Sequence, residues 1–75
     1  MDVTFTPLGP RAADIARLID AEFDEMPGMR LTAQQIRRLW NLTEHECRQV
    51  LLHLCEAGLL ARDALGRYRR RDLEY

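Results

Sequence analysis

The chain has 75 residues, 47% hydrophobic and 31% charged, with a formal net charge of −1 at pH 7, which predicts one small domain of marginal stability. No apolar run approaches the ~18 residues of a membrane-spanning helix, and the first residues lack the pattern of a secretory signal. We therefore expect a cytoplasmic protein without membrane contact. Residues 1–29 carry a charge balance of −4 (two arginines, six acids) and residues 30–75 one of +3 (nine arginines, six acids), so the second part is the better candidate for binding nucleic acid.

The first predicted element is a helix over residues 11–26. It follows an N-terminal tail, residues 1–10. Val3 and Phe5 alternate with polar residues in this tail, a pattern compatible with a short strand that packs on the domain. Apolar residues at spacings of three and four define the buried stripe of the helix: Ile15, Leu18, Ile19, Phe23 and Met26. The other face is acidic, so we expect it to face solvent and not nucleic acid.

A second, short helix is predicted over residues 33–40. Thr32 has the properties of its N-cap, and Gln35 lies where it would complete a capping box. Asn41 follows at a sharp turn, because asparagine tolerates the left-handed backbone conformation better than most residues.

A third helix is predicted over residues 44–57, with Thr43 as N-cap and Glu46 at the capping-box position. Gly58 is expected to end it in the left-handed conformation. Its apolar stripe is expected to pack inward: Cys47, Val50, Leu51 and Leu54. Leu52 lies among the exposed positions, where an apolar side chain could contact a thymine methyl or a protein partner.

The last predicted element is a β-hairpin over residues 59–71, rich in arginine. Two short strands are separated by residues 64–66, whose glycine suits the turn. Residues 72–75 are expected to be a loose tail. Charged side chains also protect a strand edge from pairing with other chains, so the arginines alone do not establish a binding surface.

The sequence contains no pattern typical of an enzyme or a metal site. Cys47 and Cys55 lie roughly 12 Å apart along one helix, at 1.5 Å per residue, which is too far for a disulfide. His45 and His53 form a repeated His-x-Cys pattern with them, but residues two apart on a helix point to opposite sides. Serine is absent, and no glycine-rich phosphate loop occurs. We expect no catalysis and no cofactor.

The order of the elements resembles the winged helix-turn-helix domains of bacterial regulators of the MarR-like and GntR-like families. Leu31-Thr32 match the opening of that pattern, Leu42-Thr43 match the Leu-Ser that closes the turn, and LCEAGLL at residues 54–60 matches the end of the recognition helix. Gly66-Arg67 lies at the expected wing tip. The resemblance covers about 60 of the 75 residues and implies an α+β, mainly α, domain over residues 11–71.

Two departures from the family pattern matter. Arg37 occupies a position that is commonly alanine, so we expect its side chain either to extend its charged end towards solvent or to pair with Glu44 or Glu46. These two glutamates lie in the first turn of the third helix, where they favour the helix dipole but repel phosphates.

The resemblance implies that residues 43–57 enter the major groove of DNA and that the wing, residues 59–71, contacts the backbone. Arg48 would then donate to guanine and Gln49 to adenine, while threonine hydroxyls and wing arginines hold phosphates. The candidate DNA-binding residues are Thr32, Thr43, Glu44, His45, Arg48, Gln49, His53, Arg62, Arg67, Arg69 and Arg70.

The sequence thus predicts a cytoplasmic bacterial transcriptional regulator that binds double-stranded DNA sequence-specifically. A homodimer is expected through the first helix or the tails, because two modules reach a symmetric site. The alternative is a protein-interaction adaptor with the same fold. Three residues favour it: Leu52, Glu44 and Glu46.

Overall fold

The computed structural model describes residues 9–71, which form three helices and a three-stranded antiparallel sheet. The helices are α1 (Pro10–Glu25), α2 (Ala33–Leu39) and α3 (Glu44–Glu56), and the strands are β1 (Leu31–Thr32), β2 (Leu60–Arg62) and β3 (Arg67–Arg70). The expected mainly helical α+β class is confirmed, whereas the strand considered near Val3 and Phe5 and the tail at residues 72–75 lie outside the described residues. Between residues 9 and 71, no helix combines the length and apolarity needed to cross a membrane.

Both predicted capping boxes are present. At the start of α2, the Thr32 Oγ1 accepts a hydrogen bond from the Gln35 N–H (3.1 Å), and the Gln35 Oε1 accepts one from the Thr32 N–H (2.8 Å). Thr43 and Glu46 make the equivalent pair of bonds at the start of α3, both 3.0 Å long. These bonds satisfy backbone N–H groups that a helix start leaves without partners, which explains why both helices begin at the predicted residues.

Left-handed residues end α2 and α3, as predicted. Asn41 has φ 53° and Gly58 has φ 79°. In both turns the N–H of the left-handed residue bonds to the carbonyl three residues earlier, and the next N–H bonds to the carbonyl five residues earlier, at 2.9–3.3 Å. This is the Schellman arrangement, and its two copies fix the directions in which α3 and β2 leave the preceding helices.

The sheet has β3 in its centre, paired with β1 on one side and β2 on the other. Leu31 lies opposite Tyr68, and Tyr68 lies opposite Arg62, so these three side chains share one face of the sheet. β1 is not predictable from the sequence pattern, because two residues are too short to show periodicity.

The core lies where α1 and α2 pack on α3 and β2 closes the end. Ile19, Phe23, Ile36 and Val50 are completely buried, and Leu60 is 1% exposed. Packing of these side chains is the main source of stability in so small a domain.

The predicted stripe of α1 is wrong at two positions. Leu18 is 56% exposed and Met26 is 55% exposed, whereas Ala12 and Ala16 are buried. The buried stripe is centred on Ile15, Ile19 and Phe23, which repeat every four residues. Leu18 lies about 100° from that centre line, at 100° per residue, and Met26 is the C-cap beyond the last helical residue.

Candidate nucleic-acid interface

A groove of about 760 Å³ lies where the start of α2, one side of α3 and the β2–β3 hairpin meet. Three arginines line it from three different elements: Arg37 from α2, Arg48 from α3 and Arg62 from β2. Glu44 is the carboxylate among the described lining residues, so their charge balance is +2 (three minus one). All of these lining residues belong to α2, α3 and the hairpin, which leaves the acidic helix α1 outside the groove.

Apolar side chains also line the groove. Leu51, Leu52 and Tyr68 are among them; Leu51 is buried, whereas Leu52 is 57% exposed. Cys47 is buried and Cys55 half-buried, both with free thiols, in keeping with their separation along one helix. Burial raises the pKa of both thiols, so they stay protonated near neutral pH.

Glu44, the carboxylate of the groove, lies one helical turn before Arg48 on α3. The Glu44 Oε2 lies 3.6 Å from the Arg48 Nη2, and both side chains are more than 70% exposed. Such an exposed pair contributes little to stability. The two side chains can therefore separate at little cost, and each can bind a ligand instead. Glu44 and Arg48 are thus the predicted reading residues that the structure brings into the groove from α3.

The predicted pairing of Arg37 with Glu44 or Glu46 is wrong. Its Nε donates to the Leu42 carbonyl at 3.2 Å, because the Schellman turn at Asn41 folds that carbonyl back towards α2. Glu46 pairs instead with α1, where its Oε2 accepts from the Arg11 Nε at 2.8 Å. This hydrogen bond, followed by that from the Thr43 N–H, lowers the pKa of Glu46.

Three predicted reading residues on α3 do not line the groove. His45 is exposed, and Gln49 and His53 are half-buried. At 100° per residue, His53 points about 180° away from Glu44, and Gln49 points about 100° away from Arg48. The predicted set on α3 therefore covers more than one side of the helix, and a ligand in the groove reaches only part of it.

Thr32 and Thr43 are occupied by capping, since each hydroxyl oxygen accepts a backbone N–H. A hydroxyl has an O–H donor as well as acceptor lone pairs. Capping therefore leaves each O–H able to donate to a phosphate oxygen.

Asp63 organises the tip of the hairpin, a role that was not predicted from the sequence. Its Oδ1 accepts from the Leu65 N–H and the Arg67 N–H, both at 2.9 Å, and its Oδ2 accepts from the Arg67 Nε at 3.1 Å. The bond from the Arg67 N–H is the main reason that the pKa of Asp63 is lowered. The signal in the sequence was an aspartate three residues before Gly66, since aspartate caps turns by bonding to backbone N–H groups ahead of it.

The predicted hairpin arginines are divided between different partners. Arg67 binds Asp63, while Arg70 forms an ion pair with Asp24 of α1. Arg69 donates from its Nη1 to the carbonyl of the next residue at 3.2 Å. Of the predicted hairpin residues, Arg62 is the one that lines the groove. Arg67 and Arg69 alternate with Tyr68 and point to the other face of the sheet, whereas Arg70 shares the face of Tyr68 but lies opposite Leu60 and pairs with Asp24.

Guanidinium groups on three elements around an exposed helix side can hold phosphate oxygens on either side of a duplex groove and donate to base edges between them. The exposed Leu52 adds an apolar contact in the same groove. Comparison of the chain with protein-family models, curated protein sequences and solved structures finds no match. The function is therefore inferred from this groove and its charges.

Proposed function

We propose that the chain is a winged helix-turn-helix domain that binds double-stranded DNA as a transcriptional regulator in the bacterial cytoplasm. In this proposal α2, the turn at Asn41 and α3 form the helix-turn-helix, and the β2–β3 hairpin is the wing. The observation that carries it is the convergence of Arg37, Arg48 and Arg62, from three separate elements, on one groove beside α3.

The chemistry of α3 suits a base edge in the major groove, which is wide enough to admit an α-helix. Arg48 is 72% exposed on the first half of the helix and would donate to the O6 and N7 of guanine. Glu44, one turn earlier, would accept from the N4 of a cytosine. The pair therefore favours recognition of a G·C-containing step.

Charge segregation supports the same orientation. α1 carries five carboxylates and two arginines between Pro10 and Glu25, and none of them lines the groove among the described residues. Phosphates approaching the groove therefore meet the cationic side of the domain, and the acidic helix lies elsewhere on its surface.

The alternative, a protein-interaction adaptor, is favoured by one observation. Leu52 lines the groove and is 57% exposed, so burial by a protein partner would remove apolar surface from water. On this alternative the isolated chain binds duplex DNA weakly or not at all, whatever the salt concentration.

The test is a fluorescence-anisotropy titration of a mixed-sequence duplex over a salt series. Wild type is compared with Arg48→Ala, Arg62→Ala and the double variant, and Arg17→Ala serves as the control because it removes an exposed arginine on α1. Each lost phosphate contact should flatten the plot of log K against log salt by about 0.9.

The expected result is that Arg62→Ala weakens binding and flattens the slope, while Arg17→Ala changes neither. Arg48→Ala weakens binding most for duplexes that contain its preferred base. Absence of binding by wild type at low salt, or an equal loss in the Arg17→Ala control, would reject the groove as a DNA site.

A further inference from the structure

We propose that the groove beside α3 also binds α1 of a second copy of this chain, so that copies associate head to tail. The inference does not depend on DNA binding, because it rests on two complementary surfaces of the chain itself. One surface is the groove with its arginines. The other is a stripe along the exposed side of α1, which we call the acidic stripe: Asp14, Leu18, Glu22 and Glu25.

The groove combines an apolar contact with positive charge. Leu52, which is 57% exposed, lines it together with three arginines, Arg37, Arg48 and Arg62, and one carboxylate, Glu44. Phosphates can neutralise these arginines, but in duplex DNA the leucine gains an apolar contact only where a thymine methyl faces it. An occupant that carries both carboxylates and an apolar side chain satisfies both features.

The acidic stripe has that composition. Its members repeat at intervals of four, four and three residues, so they lie along one side of α1. Leu18 is 56% exposed in its middle. Its three carboxylates give a charge of −3. Two arginines lie beside them, Arg17, which pairs with Asp14, and Arg11, which pairs with Glu46 of α3; with both arginines and Glu46 included the balance is −2 (two minus four), against the +2 of the groove. An exposed leucine between carboxylates on one surface therefore matches an exposed leucine in a groove lined by arginines on the other.

The dimensions are compatible. α1 has 16 residues, which is about 24 Å at 1.5 Å per residue, and the described domain measures 40 × 26 × 22 Å. The helix therefore spans the width of a second copy. A contact of this size is small for a permanent interface, so we expect reversible association that weakens as salt screens the charges.

The same charges disfavour a symmetric dimer through the first helix, one of the arrangements that the sequence suggested. Two acidic stripes facing each other would bring like charges together. The acidic stripe and the groove are different surfaces, so a contact between them is heterologous, and each copy keeps one surface for the next copy.

Sedimentation velocity without DNA tests the proposal with two variants at exposed positions. Leu18→Arg disrupts the acidic stripe and leaves the groove unchanged. The double variant Arg48→Ala/Leu52→Ala disrupts the groove and leaves the acidic stripe unchanged. Leu39→Arg is the matched control, because Leu39 is 63% exposed and belongs to neither surface. Circular dichroism checks that each variant keeps its helices.

Wild type and Leu39→Arg should form concentration-dependent species larger than a dimer. Each of the other variants alone should associate at least about tenfold more weakly, the effect of one leucine no longer being buried. Their equimolar mixture should form a one-to-one dimer and nothing larger, because only one intact stripe meets one intact groove.

Monomeric wild type, self-association of either variant as strong as that of wild type, or a mixture without dimer would each overturn the proposal. Duplex DNA added in a separate arm distinguishes the two functions. Dissociation of the assembly by DNA means that both ligands use the groove. If DNA has no effect and does not bind, DNA binding fails while head-to-tail association stands.

Discussion

Replacement of Gly58 by alanine tests the geometry that joins α3 to the hairpin. Gly58 has φ +79°, and a Cβ built on it meets nothing within 4 Å. The substitution therefore causes no clash, and its cost is conformational. The left-handed region costs an L-residue roughly 1–2 kcal/mol, partly offset by about 0.4–1 kcal/mol from the lower entropy of the unfolded chain. We expect a net loss of about 1 kcal/mol in the free energy of unfolding.

Gly28→Ala is the matched control. Its Cβ also meets nothing within 4 Å, but Gly28 is not among the positive-φ residues. At Gly28 the substitution only lowers the conformational entropy of the unfolded chain, so this variant should be about 0.4–1 kcal/mol more stable than wild type. The unfolded-state effect is common to both variants, so they should differ by the cost of the left-handed conformation, about 1–2 kcal/mol, although each adds one methyl group to open space.

Urea denaturation followed by circular dichroism and by the fluorescence of Trp40 measures the difference. For a domain of 60–100 residues, 1 kcal/mol shifts Tm by roughly 4–8 °C, so thermal melts give a second reading. Equal stability of the two alanine variants, or a loss in Gly28→Ala as large as in Gly58→Ala, would refute the reasoning from backbone conformation. A changed m-value would point to the unfolded state instead.

Two further predictions concern the caps of α3 and of the hairpin. Thr43→Ala should cost about 1 kcal/mol in urea denaturation, whereas Thr43→Ser keeps the capping oxygen and should lie close to wild type. The pKa of Asp63 is lowered in the folded state, so its stabilisation is present above the ordinary aspartate value of 3.8 and is lost as the pH falls further below it. Wild type should therefore lose stability in that acidic range more steeply than Asp63→Asn, and parallel pH profiles would contradict the hydrogen bonds assigned to Asp63.

Local chemistry explains why much of the fold could be predicted from the sequence. The boxes at Thr32 and Thr43 need only residues within one helical turn, and the conformations of Asn41 and Gly58 follow from their own side chains. These signals act over a few positions, so the sequence contains them directly. The candidate groove was predicted only in part, through Arg48, Glu44 and Arg62.

The remaining features depend on contacts between distant residues. Arg70 and Asp24 are 46 positions apart, and nothing in either neighbourhood indicates the pair. The exposure of Leu18 follows from how α1 is rotated on α3, and that rotation is set by the fit of the whole core. A pattern of apolar spacing gives the middle of a buried stripe more reliably than its edges.

The arginine run at residues 67–71 shows why charge along a sequence overstates a binding surface. Strand alternation sends neighbouring arginines to opposite faces, and two of them, Arg67 and Arg70, bind carboxylates of the domain itself. Arg62, which precedes the turn, is opposite Tyr68 and reaches the groove. The proposed DNA interface therefore gains its charge by joining single arginines from α2, α3 and β2, and a substitution at Arg62 should matter more for DNA than one at Arg70.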